Sequence, residues 1–350
     1  MCAIDDFRAP RDRAAQKSAY AVERPRGERL DTPDVDALLL DEVAVRRLIG
    51  PLELLDELAD GFRLLSAGDV VAPTRIEVAL DRGFSLAMPA YRPGGHIGVK
   101  IVNVFEGNES RQLPSHLALI ALFDSQTGVC VAVMDGTQIT ALRTAGAAAV
   151  SARLLAREDA RVLTIVGAGV QGGTHLDLLP LVRGIDEIRV SSLRFEDAAR
   201  LAERDPRAVA VPIGDLEASV RSSAIVCLCT HSGEAVVDAE WIGAGTHVTS
   251  VGYREPRGEL PRDLLERGRL FVETRLAFEP TPTGCYELQG LDPALGTELG
   301  EVLNGDRPGR TSPDEITIYK AMGHAIEDLV AAELAFRTAL RDGIGQTVRL

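Results

Sequence analysis

Apolar residues in the first third of the chain recur at helical spacing and then at strand spacing. One helical pattern begins at Asp41 and is ended by Gly50, and a second runs from Pro51 to Gly68. Shorter runs with strand-like alternation follow at residues 75–80, 84–88, 98–105, 117–123 and 129–134. The pattern therefore predicts a β-rich first domain that begins with two helices.

Helical spacing returns near residue 140, and strands alternate with helices after it. Ala141, Ala145, Ala148 and Ala152 form a stripe of small side chains, which lets another element approach this helix closely. Short apolar strands are then predicted at residues 162–166, 188–191, 209–213, 224–229, 248–251 and 270–272. Such alternation needs crossover helices and a mostly parallel sheet covered on both faces. The prediction is an α/β fold whose second domain is doubly wound.

The two ends of the chain differ in character. Residues 1–32 are polar and aperiodic, so we expect either a mobile arm or a segment that becomes ordered against a partner subunit. Near the other end, Ser312 can cap a helix, Pro313 suits the first helical position and Glu315 completes a capping box. A long helix is therefore predicted from Ser312 to near Gly343.

Composition and charge exclude several classes of protein. Of the 350 residues, 45% are hydrophobic and 26% charged, as in ordinary globular chains. Apolar stretches such as residues 145–150 are far shorter than the roughly 20 residues of a membrane span, and the first residues do not resemble a signal peptide. A cytoplasmic location is therefore expected. A net charge of −14 without a basic patch argues against a nucleic acid partner.

Metal centres and nucleophile motifs are not indicated. The five cysteines and six histidines lack the spacing of metal ligands, so we expect reduced, buried thiols and no metal. There is neither a G-x-S-x-G elbow nor a P-loop. His231, which follows a predicted strand, is interpreted as a loop residue rather than a catalytic one, and His324 as part of the last helix.

A glycine-rich loop follows the first strand of the second domain. Gly167, Gly169 and Gly172 have the spacing G-x-G-x-x-G between a predicted strand and a predicted helix. Gly167 suits the tight turn, Gly169 lets a diphosphate approach the backbone, and Gly172 lets the helix pack closely on the strand. The spacing alone also fits a structural turn, but the strand–helix units around it favour dinucleotide binding.

The next predicted strand ends without the acidic residue that NAD-specific sites place there. Ser192 and Arg194 stand there instead and suit a 2′-phosphate, so NADP is favoured over NAD, although Arg194 could simply begin the next helix. The predicted cofactor contacts are Gly167, Ala168, Gly169, Val170, Gln171, Thr144, Ser192, Arg194 and Thr230.

Cations occur in three otherwise apolar segments. Lys100 lies in a strand that is apolar on both faces, Arg143 begins the alanine-rich helix, and Arg75 enters a strand. A buried lysine must be paired or lose its proton, whereas on an edge strand its amine could reach solvent. Arg75 could equally be a solvated loop residue. Together they suggest a small carboxylic acid as ligand, because arginine binds carboxylates through two donors.

The chain resembles the ornithine cyclodeaminase and mu-crystallin family, which includes archaeal alanine dehydrogenase and imine reductases. The resemblance rests on Met88-Pro89, residues 98–103, Asp135-Gly136, residues 140–145, 167–171 and 314–320. It implies that Arg75, Lys100 and Arg143 bind the substrate carboxylate, with Met88 also at the substrate. It also implies a homodimer, with residues 33–143 and 321–350 forming an α+β substrate-binding and dimerisation domain and residues 144–320 a Rossmann NAD(P)-binding domain.

Two departures from the family pattern bear on the reaction. Arg254 stands where cyclodeaminases carry a catalytic aspartate, and the acidic residue expected before Met88 is missing. We therefore expect an NAD(P)-dependent oxidoreductase that acts on a small α-imino or α-amino acid, with Lys100 as catalytic residue. Glu259 is a candidate partner or proton relay, or a solvated loop acid. The alternatives are a cyclodeaminase that uses Glu255 or Glu259, and a nucleotide-binding protein without turnover.

Overall fold

The computed structural model of the protein describes residues 35–350, apart from the side chain of Glu109. The arm predicted over residues 1–32 lies outside the described residues. The strands of residues 35–350 form two sheets, one of seven strands and one of eight. Helices cover both sheets, which confirms the predicted α/β fold class.

The first sheet is mainly antiparallel. Its strands are β1 (Asp36–Leu40), β2 (Ile76–Leu80), β3 (Gly83–Tyr91), β4 (Ile97–Val104), β5 (His116–Phe123), β6 (Cys130–Asp135) and β15 (Gln346–Arg349). Their order is β15-β1-β6-β5-β4-β3-β2, and β1 with β6 is the parallel pair. The five predicted strands correspond to β2–β6, whereas the sequence pattern did not predict β1 or β15. Burial alternates along β4, and Lys100 falls on its buried face.

The second sheet is parallel throughout. Its strands are β7 (Val162–Val166), β8 (Glu187–Ser191), β9 (Ala208–Val211), β10 (Ile225–Leu228), β11 (His247–Ser250), β12 (Arg269–Val272), β13 (Gly296–Glu298) and β14 (Thr317–Lys320). Their order is β13-β12-β14-β11-β10-β7-β8-β9. The chain moves from β7 outward to β9 and returns to β10, so the sheet is doubly wound, with its switch point between β7 and β10.

Two long, largely buried helices connect the layers. The helices are α1 (Glu42–Leu48), α2 (Pro51–Ala67), α3 (Gly136–Leu155), α4 (Val170–Leu178), α5 (Phe195–Ala202), α6 (Leu216–Arg221), α7 (Leu299–Asn304) and α8 (Ala325–Asp342). α8 packs on β3, β4 and α2, while α3 packs on β5 of the first sheet and β11 of the second. The small residues of α3 permit this approach: a side chain at Gly146 would collide with Leu58 of α2. The close packing predicted for the alanine stripe is therefore present.

The helix predicted from Ser312 is wrong. Residues Thr317–Lys320 form β14 in the interior of the second sheet, and all four residues are buried. Glu315 caps no helix, because its carboxylate accepts hydrogen bonds from the backbone and hydroxyl groups of Thr311. The β-branched and aromatic residues of this segment are stabilised between β11 and β12, which outweighs the local capping motif.

The long helix begins one segment later, as α8. His324 is its N-cap, and its side chain forms a capping box with Glu327. Gly343 ends the helix in the left-handed conformation, at the predicted end. The predicted domain division stays a prediction, and its boundary between residues 143 and 144 falls inside α3. None of the helices in residues 35–350 is long and apolar enough to cross a membrane.

A buried histidine of β11 makes hydrogen bonds to both α3 and β14. His247 of β11 lies with Nε2 3.1 Å from the hydroxyl of Ser151 on α3 and Nδ1 2.9 Å from the hydroxyl of Thr317 on β14. Burial, together with the positive charges of Arg310 and Arg183, lowers the pKa of His247 to about 3. The imidazole therefore stays neutral in the folded protein at pH values where the unfolded chain binds a proton.

We expect replacement of His247 by glutamine to reduce the loss of stability in acid. The unfolded chain binds the proton near pH 6.5, so His247 weakens folding as the pH falls from about 6.5 towards about 3. Below the unfolded pKa, His247→Gln should decrease the slope of unfolding free energy against pH by roughly 1 kcal/mol per unit. Urea titrations at pH 6.5 and 4.5 measure the slope. The exposed His231→Gln variant is the control, and equal slopes for His247→Gln and wild type would contradict the expectation.

Candidate active site

The glycine-rich loop has the geometry of a dinucleotide site. Gly167 has a φ of +110°, and a side chain on it would collide with the carbonyl group of Cys229. A side chain on Gly172 would collide with the carbonyl oxygen of Gly167, because α4 packs closely on β7. A side chain on Gly169 would meet no atom within 4 Å. The open space therefore lies at the N-terminus of α4, where backbone N–H groups can bind a diphosphate.

Two polar atoms near this loop fit a bound nucleotide. Gln171 Oε1 and Ser191 Oγ are buried and have no hydrogen-bond partner within residues 35–350. Gln171 lies in the first turn of α4, and Ser191 ends β8, next to the switch point. Buried polar groups are seldom left unpaired, so these atoms favour a polar ligand along this edge. The residues present therefore fit a nicotinamide dinucleotide.

The other predicted cofactor residues have different surroundings. Ala168 and Ser192 are half-buried, Val170 is exposed, and Thr144 is buried on α3 beside Arg143. The backbone N–H and hydroxyl groups of Thr230 both donate to Glu259, so the hydroxyl is already engaged.

Arg194 lies where the second predicted strand ends. It is the N-cap residue of α5, and its exposed guanidinium group pairs with Asp197 at 2.8 Å. Asp197 also contacts Arg200 on the same helix. The contacts show that Arg194 begins a helix, and its exposure leaves it accessible to a ligand.

Lys100 and Arg143 converge on one carboxylate. Lys100 Nζ lies 2.7 Å from Asp328 Oδ2, and Arg143 Nε donates to Asp328 Oδ1 at 3.2 Å. Arg143 Nη1 also donates to Glu327 at 3.2 Å. The four side chains are buried, which excludes the exposed, edge-strand alternative for Lys100. Sequence reasoning missed both acids.

Arg75 joins this cluster through a backbone contact. Its Nη2 donates to the carbonyl oxygen of Gly323 at 2.6 Å, and it is half-buried rather than solvated. Gly323 has a φ of +72°, and a side chain there would collide with the guanidinium group of Arg143. Both arginines therefore lie close to Gly323, which follows β14. The structure thus brings Arg75, Lys100 and Arg143 together.

The charges in this cluster shift each other's pKa. Burial lowers the pKa of Lys100 to about 8; Asp328 acts against this shift, and Arg143 acts with it. Burial lowers the pKa of Arg75, and Arg143 adds to this effect. For Arg143, burial acts to lower the pKa, but Asp328 and Glu327 raise it overall. Burial and the two arginines therefore favour the neutral amine of Lys100, and Asp328 favours the ammonium ion.

A pocket opens beside this cluster at the carboxyl edge of the second sheet. Its lining residues are Ala72, Pro73, Thr74, Arg75, Met88, Glu273, Thr274, Leu276, Ala277, Thr283, Met322, Gly323, His324 and Ala325. Lys100 and Arg143 do not line it, but Arg143 lies close to Gly323, and both arginines are near enough to Lys100 to lower its pKa. Met88 does line it and is the cross-strand neighbour of Lys100.

The pocket and the glycine-rich loop share one edge of the sheet. β14, which leads to Gly323, is three strands from β7, which leads to Gly167. Three strand spacings correspond to about 14 Å. In a parallel sheet all carboxyl ends meet at the same edge, so a nucleotide on the loop can extend towards the pocket.

Glu259 and His231 lie outside the cationic cluster. Glu259 is buried, which excludes the alternative of a solvated loop acid. It accepts hydrogen bonds from the backbone N–H groups of Thr230, Val251 and Gly252 and from the hydroxyl groups of Thr230 and Ser250. It therefore holds the loops after β10 and β11 in place.

His231 is exposed and pairs with Glu106 at 3.1 Å, as expected for a loop residue. Arg254 donates to the carbonyl oxygen of His231 and lies 3.8 Å from Glu106. No group of three or more metal-ligating side chains was found in the part of the chain that the structure describes.

A doubly wound sheet with an open glycine-rich loop and a cationic pocket on one edge is the architecture of a nicotinamide-dependent oxidoreductase. The chain belongs to the ornithine cyclodeaminase/mu-crystallin family, whose profile matches residues 35–342. The resemblance seen in the sequence is thereby confirmed.

Three relatives illustrate the range of the family. Ketimine reductase mu-crystallin of Mus musculus is 34% identical over 273 residues, 77% of this chain and 85% of that protein. The structure of Thermococcus litoralis Delta(1)-pyrroline-2-carboxylate reductase with NADH and L-proline is 33% identical, with a TM-score of 0.83, and the match covers 89% of this chain and all of that one. An archaeal alanine dehydrogenase dimer with bound NAD is 30% identical, with a TM-score of 0.79, over 89% and 99% of the two chains.

Two glycine substitutions should separate cofactor binding from folding. Gly169→Ala places its methyl group in open space, so it should change the free energy of unfolding by less than about 1 kcal/mol. The same methyl group blocks the diphosphate, so the Kd for NADH and NADPH should rise about tenfold or more. Gly172→Ala should instead destabilise the protein by about 1–3 kcal/mol, because its methyl group collides with the backbone. Urea unfolding and nucleotide fluorescence measure the effects, and unchanged affinity in Gly169→Ala would refute the assignment.

Proposed function

We propose that this protein is an NAD(P)-dependent oxidoreductase that interconverts a small α-imino acid, or a 2-oxo acid plus an amine, with an α-amino acid. The observation that carries the proposal is the cluster of Arg75, Lys100 and Arg143 on the sheet edge that also carries the open glycine-rich loop. Guanidinium groups bind carboxylates through two parallel hydrogen bonds, and a carboxylate is the group that every α-imino and α-amino acid carries.

The residues of this chain position the substrate for the reaction. The nicotinamide ring, when bound, supplies or accepts the hydride at the α-carbon of the substrate. Arg75 lines the pocket, and Lys100 and Arg143 lie next to it, so in this proposal the three cations together attract and hold the carboxylate. A held carboxylate fixes the α-carbon, and such orientation is a major part of catalysis. Lys100, with a pKa of about 8, is also suited to hold a proton at the substrate nitrogen.

The lining of the pocket favours an uncharged side chain on the substrate. Ala72, Pro73, Met88, Leu276 and Ala277 contribute apolar surface to it. Glu273 also lines it, but its carboxylate accepts hydrogen bonds from the backbone N–H groups that begin the loop after β14. The acid is therefore already engaged and is poorly placed to hold a distal amine.

The site offers little support for amine elimination. Arg254 occupies the position of the cyclodeaminase aspartate, and Glu259 already accepts five hydrogen bonds. Glu255, the other candidate base, accepts a hydrogen bond from the hydroxyl group of Tyr286 at 2.7 Å. These contacts favour reduction over cyclodeamination.

We further propose that the protein acts as a homodimer in the cytoplasm. The first sheet exposes apolar side chains at its β2 edge and on β5: Ile76, Val78, Leu80, Leu117 and Leu119. A group of exposed apolar residues on one sheet is typical of a protein interface. The dimeric state of the archaeal alanine dehydrogenase supports this proposal.

The activity test follows the absorbance of reduced cofactor. The candidate substrates are pyruvate, glyoxylate, oxaloacetate and cyclic ketimines, each with and without ammonia or methylamine. At least one of these substrates should be reduced, with a loss of the absorbance of the reduced cofactor. Lys100→Met and Arg143→Ala should lower kcat/KM about 10- to 100-fold through loss of a carboxylate contact, with nucleotide affinity unchanged.

The control for these variants is Arg153→Ala, which removes another arginine of α3 that pairs with Asp56. Normal turnover by the Lys100 and Arg143 variants would contradict the site assignment. Ammonia release from ornithine or lysine would instead favour a cyclodeaminase. Tight nucleotide binding without turnover of any substrate would favour a binding protein.

We propose NADP as the preferred cofactor, because Ser192 and Arg194 occupy the position of the missing acid. Arg194→Ala should raise the Kd for NADPH about tenfold, the loss expected for a charge-assisted hydrogen bond, and leave the Kd for NADH unchanged. Arg200→Ala is the matched control, because Arg200 contacts the same Asp197. Equal effects of Arg194→Ala on both nucleotides would exclude a contact to the 2′-phosphate.

A further inference from the structure

Asp328 is the one residue within residues 35–350 whose carboxylate contacts both Lys100 and Arg143. One oxygen lies 2.7 Å from the Lys100 ammonium group, and the other accepts from Arg143 Nε at 3.2 Å. The two cations come from β4 of the first sheet and from α3, whereas Asp328 belongs to α8. One buried side chain therefore connects three separate elements behind the pocket.

The helix that carries Asp328 holds it in a fixed place. Asp328 lies in the first turn of α8, where the helix dipole favours a negative charge. The capping box of His324 and Glu327 fixes that turn. Ile326 and Leu329, on either side of the two acids, are buried in the main hydrophobic core. The carboxylate therefore has little freedom to follow the cations if they move.

Building on the proposed function, we propose that Asp328 is the positioning residue of the substrate site, which holds the Lys100 ammonium and the Arg143 guanidinium groups in place before the substrate carboxylate binds. It acts through these two cations and does not itself contact the substrate. Nothing in the sequence motifs assigns this role to it.

The charge of Asp328 also governs the protonation of Lys100. The charged groups that act on Lys100 are Asp328 on α8, Arg143 on α3, Arg75 before β2 and His116 on β5. Burial and the two arginines favour the neutral amine, and Asp328 favours the ammonium ion through its charge and its hydrogen bond. Without the carboxylate, Lys100 is left buried beside like charges and loses its proton at neutral pH.

The small number of lysines makes this protonation directly measurable. The chain contains Lys17, Lys100 and Lys320, so full-length protein labelled with ¹³Cε-lysine gives three side-chain NMR signals, and Lys100→Met identifies one of them. In the wild type this signal should titrate at about pH 8. In Asp328→Asn its pKa should fall by about 1–3 units, the effect of losing an adjacent opposite charge.

Glu333→Gln is the matched control for this titration. Glu333 is a buried acid on the same helix, but it pairs with Arg92 and His96 rather than with Lys100. This variant should leave the Lys100 titration unchanged. A wild-type pKa below 7 would overturn the inference even if Asp328→Asn failed to fold. An unchanged pKa in folded Asp328→Asn would also overturn it.

The pH profile of kcat/KM provides a second readout. In the wild type kcat/KM should decline at high pH as Lys100 loses its proton. In Asp328→Asn this decline should occur at lower pH, by the same number of pH units as the change in the NMR pKa. Asp328→Glu keeps the charge, so its pH profile should lie close to that of the wild type. A merely structural role would lower stability and leave the profile in place, which would overturn the proposal.

The two measurements separate this inference from the proposed function. Absence of imine reduction by the wild type would refute the proposed function, while the NMR titration would still test the coupling of Asp328 to Lys100. Normal wild-type turnover with an unchanged profile in Asp328→Asn would refute the inference alone.

Discussion

The buried contact of Asp328 with Lys100 and Arg143 is the constraint on which the proposed substrate site depends. Removing one partner of a buried ion pair costs about 3–5 kcal/mol, because the remaining charge is left uncompensated in a region of low dielectric. Apolar side chains of similar size in place of a buried ion pair often stabilise a fold at least as well. The cluster is therefore better explained by the positive charge that it places next to the pocket than by a contribution to stability. It fixes β4, α3 and α8 relative to one another at the point where a carboxylate would bind.

α3 contacts both the second sheet and this cluster, so it fixes the distance between them. Ser151 near its end contacts His247 of β11, and Arg143 lies eight residues earlier, about 12 Å along the helix axis. The parallel order of the sheet places the nucleotide loop after β7 and Gly323 after β14 on one edge. One rigid helix and one sheet edge thus set the distance between the cations and the nucleotide, without a flexible connection between them.

The features that could be predicted from the sequence are those with local causes. Gly172 is required by its contact with the backbone of Gly167 in the same loop, and Gly167 by its positive φ, so their spacing and the strand–helix units around it revealed the loop. Lys100 and Arg143 were conspicuous because each is a lone charge in an apolar segment. Asp328 was missed because it lies 185 residues from Arg143, and only the folded chain brings them together. The sequence did contain one signal for it, because Glu327 and Asp328 are adjacent acids between apolar residues that are expected to be buried.

The error at Ser312 has the same origin, because a local capping motif says nothing about the neighbouring strands that stabilise β14.

The residues around the pocket favour hydride transfer over elimination for a chemical reason. Elimination of an amine needs a free base near the α-carbon, and Glu259 is not free, because its oxygens already accept hydrogen bonds from two loops. Arg254 adds a positive charge instead of a base. With the hydride supplied by a bound reduced nicotinamide, reduction of an imine asks of the protein that the α-carbon be held in line and that its nitrogen receive a proton. In the proposed reaction the cations serve the first requirement, and Lys100, whose ammonium form is favoured by Asp328, serves the second.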